Sequence, residues 1–305
     1  MKSGFDIEEG ETRIFARGSR KLAWMASGDP AGFPVFFAHG CPGSRLEVAF
    51  LADQARNQGF RIIGFDRPGF GRSDFVDGYG LRSFAEDLNA LADDLDIKKF
   101  GLIGWSSGGP PVLSTAFHMP ERAVFVFSLS GYTDFGKFED AKQLMADYNL
   151  YGPALSDHFP RLFDRMLQVM DWTDRHLPNF YLKLAKEEMR APDRRILDDP
   201  ETAEHFLRDQ IEAMVSGSDG VIQDLNTEWA PWDFDLAQIK IPAAVFQGEQ
   251  DVFVPWQFAR HLSENMPHAA LKLYEDKGHL LILDPSVQDN LFRLAKKAVK
   301  NAVKE

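Results

Sequence analysis

Short apolar runs suited to β-strands alternate with helix-patterned stretches through the first 131 residues of this sequence, and the alternation returns near its end. The runs Val35 to Ala38, Arg61 to Phe65, Phe100 to Trp105 and Ala123 to Leu129 are separated by helical patterns over Leu46 to Gln58, Leu81 to Leu95 and Ser107 to His118. Strand, helix and strand in that order predict parallel neighbours joined by right-handed crossovers, with helices over both faces of one sheet. Phe100 to Trp105 is almost wholly apolar, as a central parallel strand must be when both its faces are covered. The order resumes with a strand at Ala243 to Gln247, a helix from about Pro255 to Asn265, a strand at Leu271 to Tyr274 and a last helix after Pro285. The expected class is α/β: a doubly wound, mostly parallel sheet.

Between these blocks no convincing strand occurs, although loops in such folds usually need only about 2–6 residues. Apolar positions there recur at helical spacing, as in Leu162, Phe163, Met166, Leu167, Val169 and Met170, and again in Phe206, Leu207, Ile211, Met214 and Val215. The pattern predicts a helical cap over residues 132–232, inserted into a core domain built from residues 1–131 and 233–305.

Composition narrows the function. The 305 residues carry 34 Lys and Arg against 46 Asp and Glu, and a net charge of -12 opposes attraction to nucleic acid or to an anionic membrane surface. No run approaches the ~18 apolar residues of a bilayer span, and the start lacks a secretory pattern. The single cysteine, Cys41, excludes an intrachain disulfide and fits a reducing cytoplasm. No H-E-x-x-H or paired-cysteine pattern points to a metal, and no complete dinucleotide or phosphate-binding loop points to a cofactor. Gly131 to Lys137 imitates such a loop, but Phe138 stands where Ser or Thr is needed.

The chemistry centres on Gly104-Trp105-Ser106-Ser107-Gly108, a G-x-S-x-G motif at the end of an apolar strand and the start of a helix. A turn that sharp strains the serine backbone and leaves no room for a Cβ at the flanking glycines, so Ser106 is held exposed above the sheet. A serine hydroxyl needs a base, and the base needs an orienting group. Asp251 follows the strand after the cap and His279 follows the next one, both at carboxyl ends of strands, where open α/β sheets place their sites. The order Ser, Asp, His is the one this arrangement uses. Asp251 could instead cap the helix near Pro255, with Glu249 as the substitute acid. His118, His158, His176, His205, His261 and His268 lack a glycine turn and read as structural. The oxyanion of the tetrahedral intermediate needs fixed N–H donors. Ser107 N–H is one; the other is Cys41 N–H, in Ala38-His39-Gly40-Cys41-Pro42-Gly43-Ser44, because Pro42 has none. Cys41 as a nucleophile has no assigned base, and His39 reads as a residue that fixes the loop.

Taken together, the HGCPGS loop, DRPGFGRSD from Asp66 to Asp74, GWSSGG, GEQD and KGH resemble the α/β-hydrolase superfamily in its serine-nucleophile branch. The resemblance spans most of the core and is weak over the cap. It implies a structural role for Asp66, Arg67, Gly69 and Gly71. Epoxide hydrolases and haloalkane dehalogenases are similar but carry aspartate at the position of Ser106. The expected activity is hydrolysis of a carboxylic ester, with a neutral, hydrophobic small-molecule substrate and a pH midpoint of about 6–7 set by His279. The cap is rich in Phe, Leu, Met and Trp, including Trp172, Trp229 and Trp232; some of these should line the pocket, and most should form the core of the cap itself. The HGCPG loop is also similar to that of proline iminopeptidases. Lactonases, perhydrolases and carbon–carbon bond hydrolases use the same three residues, and a slow-turnover ligand sensor is the non-enzymatic alternative.

Overall fold

The computed structural model describes residues 11–148 and 150–302. Eight strands form one sheet: β1 (Arg13–Arg17), β2 (Arg20–Gly28), β3 (Phe33–Ala38), β4 (Phe60–Phe65), β5 (Phe100–Trp105), β6 (Ala123–Leu129), β7 (Ala243–Gly248) and β8 (Ala269–Tyr274). Their order across the sheet is β1-β2-β4-β3-β5-β6-β7-β8, and β3 to β8 run parallel. The antiparallel hairpin of β1 and β2, which pairs along β4, was not anticipated from the sequence.

Side chains of the central strands alternate between two cores, as the pleat requires. Val35 and Phe37 enter one cluster with Ala55 of α1 (Ala52–Gln58) and with Leu291 and Phe292 of α12 (Pro285–Ala302). Phe36 and Ala38 enter the other with Phe84 and Leu88 of α2 (Leu81–Asp94), Val112 of α3 (Gly109–His118) and Ala259 of α11 (Trp256–Asn265). Both faces of the sheet are therefore covered.

Among the described residues, seven α-helices follow β6 before the sheet resumes: α4 (Ala141–Asp147), α5 (Gly152–His158), α6 (Pro160–His176), α7 (Pro178–Glu188), α8 (Ala191–Ile196), α9 (Pro200–Ala213) and α10 (Asp219–Glu228). The last three are fastened to the core by carboxylates. Asp193 of α8 accepts from the N–H groups of His279 and Leu280, both at 2.9 Å. On α9, Asp209 accepts from Ser44 N–H and Glu212 pairs with Arg45. On α10, Asp224 takes both Nε and Nη2 of the buried Arg67, at 2.9 and 2.7 Å. Among the described residues, the side-chain hydrogen bonds of α6 and α7 end within those helices or on α8 to α10 and their flanking turns, as with Tyr181 to Gln210 and Lys186 to Asp198. No helix of the described residues is long and apolar enough to cross a membrane.

Candidate active site

Ser106 stands between β5 and α3 with φ of +54°, a left-handed conformation that a non-glycine residue rarely adopts. The glycines beside it are required by contact. A Cβ on Gly104 would lie 2.1 Å from Gly108 O, and one on Gly108 would lie 2.0 Å from Ala38 O, so any side chain at either place forces the strand and helix apart.

The turns after β7 and β8 bring Asp251 to His279, with Nδ1 to Oδ2 at 2.8 Å. Asp251 does not cap the helix that starts at Trp256, whose N-cap Pro255 receives no side-chain bond; its Oδ1 accepts from Phe253 N–H at 2.8 Å and Val254 N–H at 2.9 Å, in the turn before that helix. Gln247 Nε2 adds a second donor to Oδ2, at 3.0 Å. Three directions of restraint fix the carboxylate. Burial alone would depress His279, but the charge and hydrogen bond of Asp251, with the further charge of Asp193, raise it above the ordinary value of 6.5. Its titration is thus displaced upward from the range expected for an unperturbed imidazole. Trp105 Nε1 donates to His279 O at 3.1 Å and sets the ring over the elbow.

Ser106 and His279 line one cavity of about 780 Å³, together with Gly40, Cys41 and Pro42. The serine hydroxyl makes no hydrogen bond to the imidazole in this conformation, and such catalytic bonds often tighten only with substrate bound. The N–H groups of Cys41 and Ser107 meet no acceptor among the described residues. Burial, then the charges of Asp224 and Glu228, push the Cys41 thiol well up, which keeps it protonated and a poor nucleophile.

His39 holds the loop. Burial and the charge of Arg67 keep it well below the usual histidine value, so the ring is neutral. Its Nδ1–H donates to Gly40 O at 2.8 Å while Nε2 accepts from Arg67 N–H at 3.1 Å. Arg67 itself donates to the carbonyls of His39 and Gly40 at 2.6 and 2.9 Å. Asp66 pairs with the buried Arg45 at 2.6 Å, and both residues of the Asp66-Arg67 dipeptide are thus structural.

The rest of the cavity wall is mainly apolar and drawn from α6 and α7: Leu162, Met166, Val169, Met170, Leu184 and Met189 just beyond. Of the expected residue types, leucine and methionine supply this wall, whereas Trp172, Trp229 and Trp232 lie off it and the tryptophan on it is Trp105 of the core. Trp229 packs on Phe163 inside the cap, and Trp172 is exposed. Asp193, Glu47 and Asp209, which brace the histidine turn and the loop from Gly40 to Ser44, went unnoticed in the sequence because an acid in a helical stretch looks like any solvated acid. No group of three or more His, Cys, Asp or Glu able to hold a metal occurs among the described residues.

A family model for the alpha/beta hydrolase fold matches residues 34–286, which takes in the elbow, both turns and the whole insertion. The chain belongs to the α/β-hydrolase family. Among relatives of this α/β-hydrolase, a 2-hydroxy-6-oxononadienedioate/2-hydroxy-6-oxononatrienedioate hydrolase of Burkholderia vietnamiensis is 28% identical over 238 residues, covering 74% of this chain and 73% of that one. A non-heme chloroperoxidase of Kitasatospora aureofaciens is 28% identical over 273 residues, covering 86% and 90%. A thermophilic esterase structure from Thermogutta terrifontis shares the fold, with a TM-score of 0.67 at 20% identity over 94% of this chain and 99% of that one.

Proposed function

We propose that this α/β-hydrolase cleaves a carboxylic ester through an acyl-enzyme, with Ser106 as nucleophile, His279 as base and Asp251 as its orienting group. The observation that carries the reading is the bond from His279 Nδ1 to a fully restrained Asp251, beside the cavity into which the strained Ser106 turn opens. The carboxylate fixes the tautomer and leaves Nε2 to take the serine proton. Ser106 Oγ attacks the carbonyl carbon as that proton passes to His279, and the oxyanion forms against Cys41 N–H and Ser107 N–H. His279 then protonates the departing alcohol, and water hydrolyses the acyl-serine by the same route. The apolar wall supplied by α6 and α7 favours a neutral, hydrophobic substrate, while the residues that perform the chemistry come from the core.

The family's members carry several chemistries, so the test separates the machinery from the bond it cuts. A fluorophosphonate probe should label native protein and not Ser106→Ala. On a panel of aryl esters, lactones, amides and proline β-naphthylamide, turnover should be greatest with esters and fall by about 10⁴-fold or more in Ser106→Ala. Equal ester rates in the two proteins would remove the proposal.

A further inference from the structure

Two carboxyl groups from separate parts of the fold are buried against the oxyanion loop, and neither lines the cavity. Glu47 sits in the short 3₁₀ helix Arg45–Leu51, and both its oxygens accept from Gly40 N–H, at 3.1 and 3.0 Å. Asp209 comes from α9, and its Oδ1 accepts from Ser44 N–H at 2.9 Å and from Ser44 Oγ at 2.6 Å. Glu47 is wholly buried and Asp209 is 1% exposed. The residues they hold, Gly40 and Ser44, bracket the turn Cys41-Pro42-Gly43. That turn is wrapped closely round the glutamate: a Cβ on Gly43 would stand 2.1 Å from Glu47 Oε1. Gln210, next to Asp209, also donates to Pro42 O at 2.8 Å. The loop is thus gripped by the core at one end and by the cap at the other.

Two ionised carboxylates buried side by side repel strongly, whereas one proton between them converts the repulsion into a short hydrogen bond. Burial raises Glu47 well above the ordinary value, and the charge of Asp209 adds to the effect; burial likewise raises Asp209 to about 7. The charged and titratable groups facing the pair are Arg67 and Asp66 from the loop after β4, Cys41 on the oxyanion loop and Tyr181 from α7. The one cation, Arg67, is already matched by Asp224.

We propose that Glu47 and Asp209 are a proton-sharing positioning pair: they turn Gly40 N–H inward, leave Cys41 N–H aimed at the developing oxyanion, and tie that aim to helix α9 of the cap. Neither residue lines the cavity, so neither is a catalytic residue. The proposal rests on the ester-hydrolase reading for its kinetic consequence. As pH rises the shared proton is lost, the carboxylates repel and the amide of Cys41 drifts, so kcat falls while KM changes little.

The sign for stability is the same. An acid that titrates at about 7 when folded and at 3.8 when free binds more protons in the native state, so stability declines as pH rises between those values. Native protein, Glu47→Gln, Glu47→Ala and Asp209→Asn should be compared for aryl-ester kcat and KM and for Tm from about pH 4 to about pH 9. Native kcat should fall on the alkaline side. In Glu47→Gln and Asp209→Asn an amide N–H replaces the shared proton, and that decline should vanish; in Asp209→Asn the fall of Tm between pH 4 and 7 should flatten as well. Glu47→Ala should lose about 10²-fold in kcat with KM nearly constant, and Glu47→Gln should recover most of the loss. An alkaline decline unchanged in a cooperatively melting Asp209→Asn overturns the proposal, as does a Glu47→Ala that melts early but keeps native kcat. If native protein neither turns over esters nor takes the fluorophosphonate, the ester reading fails separately. Melting then decides the pair, and identical pH dependence of Tm in native protein and Asp209→Asn rejects it.

Discussion

Replacing Asp193 with asparagine exchanges one oxygen for an NH₂ where helix α8 meets the histidine turn. Each carboxylate oxygen now accepts one backbone amide, His279 N–H and Leu280 N–H, both at 2.9 Å. Asparagine offers one acceptor and sets donors against the other amide, which is left buried and unpaired. An amide bond to a charged group contributes about 1.5–3 kcal/mol, and an unsatisfied buried donor costs about 1–3 kcal/mol. Burial raises the carboxyl of Asp193 itself despite those amide bonds, so desolvation offsets part of the gain. The net loss should be about 2–3 kcal/mol, which lowers Tm by about 3–5 °C in a chain of this size. A second readout follows from charge. The upward displacement of His279 comes from Asp251 first and Asp193 next, acting against burial. Without the Asp193 charge the imidazole loses its proton at lower pH, and the acid limb of kcat/KM should move to more acid pH. Calorimetry and a pH series with one aryl ester measure both. A Tm within about 1 °C of native together with an unmoved acid limb would refute the reasoning.

Asp251→Asn should lower kcat by about 10⁴-fold, since an amide favours the wrong imidazole tautomer, and the residual acid limb should lie lower than in native protein because the raising charge is gone; steady-state rates across pH report both. Asp224→Ala leaves the guanidinium of Arg67, 1% exposed, without its ion pair and should cost about 3–5 kcal/mol in denaturant unfolding.

The parallel sheet and the Ser106 turn were legible because their signals are local. Phe100 to Trp105 is apolar on both faces, and the glycines at 104 and 108 are forced by contacts within the motif and with the adjoining strand. The hairpin of β1 and β2 was not, because Arg13–Arg17 alternates half-buried and exposed positions with arginine at both ends and reads as a solvated lead-in. The braces of the site were illegible for another reason. Asp193 lies 86 residues from His279, and Asp209 lies 165 residues from Ser44. Nothing in the surroundings of either acid distinguishes it from Glu187 or Glu201 until the chain has folded. The upward displacement of His279 was missed for the same cause, since one of the charges that raises it arrives from the cap.

The uneven fastening of the insertion bears on how such a protein acquires new substrates. Helices α8 to α10 grip the histidine turn, the loop from Gly40 to Ser44 and Arg67 through buried charge, so changes in them disturb the groups around Ser106 and His279. Helices α6 and α7 supply much of the cavity wall, while among the described residues their polar side chains anchor to other parts of the insertion. Drift or deliberate randomisation in that hairpin can recast what enters the site without retuning the groups that react, which makes residues 160–188 the natural place to build libraries for altered selectivity.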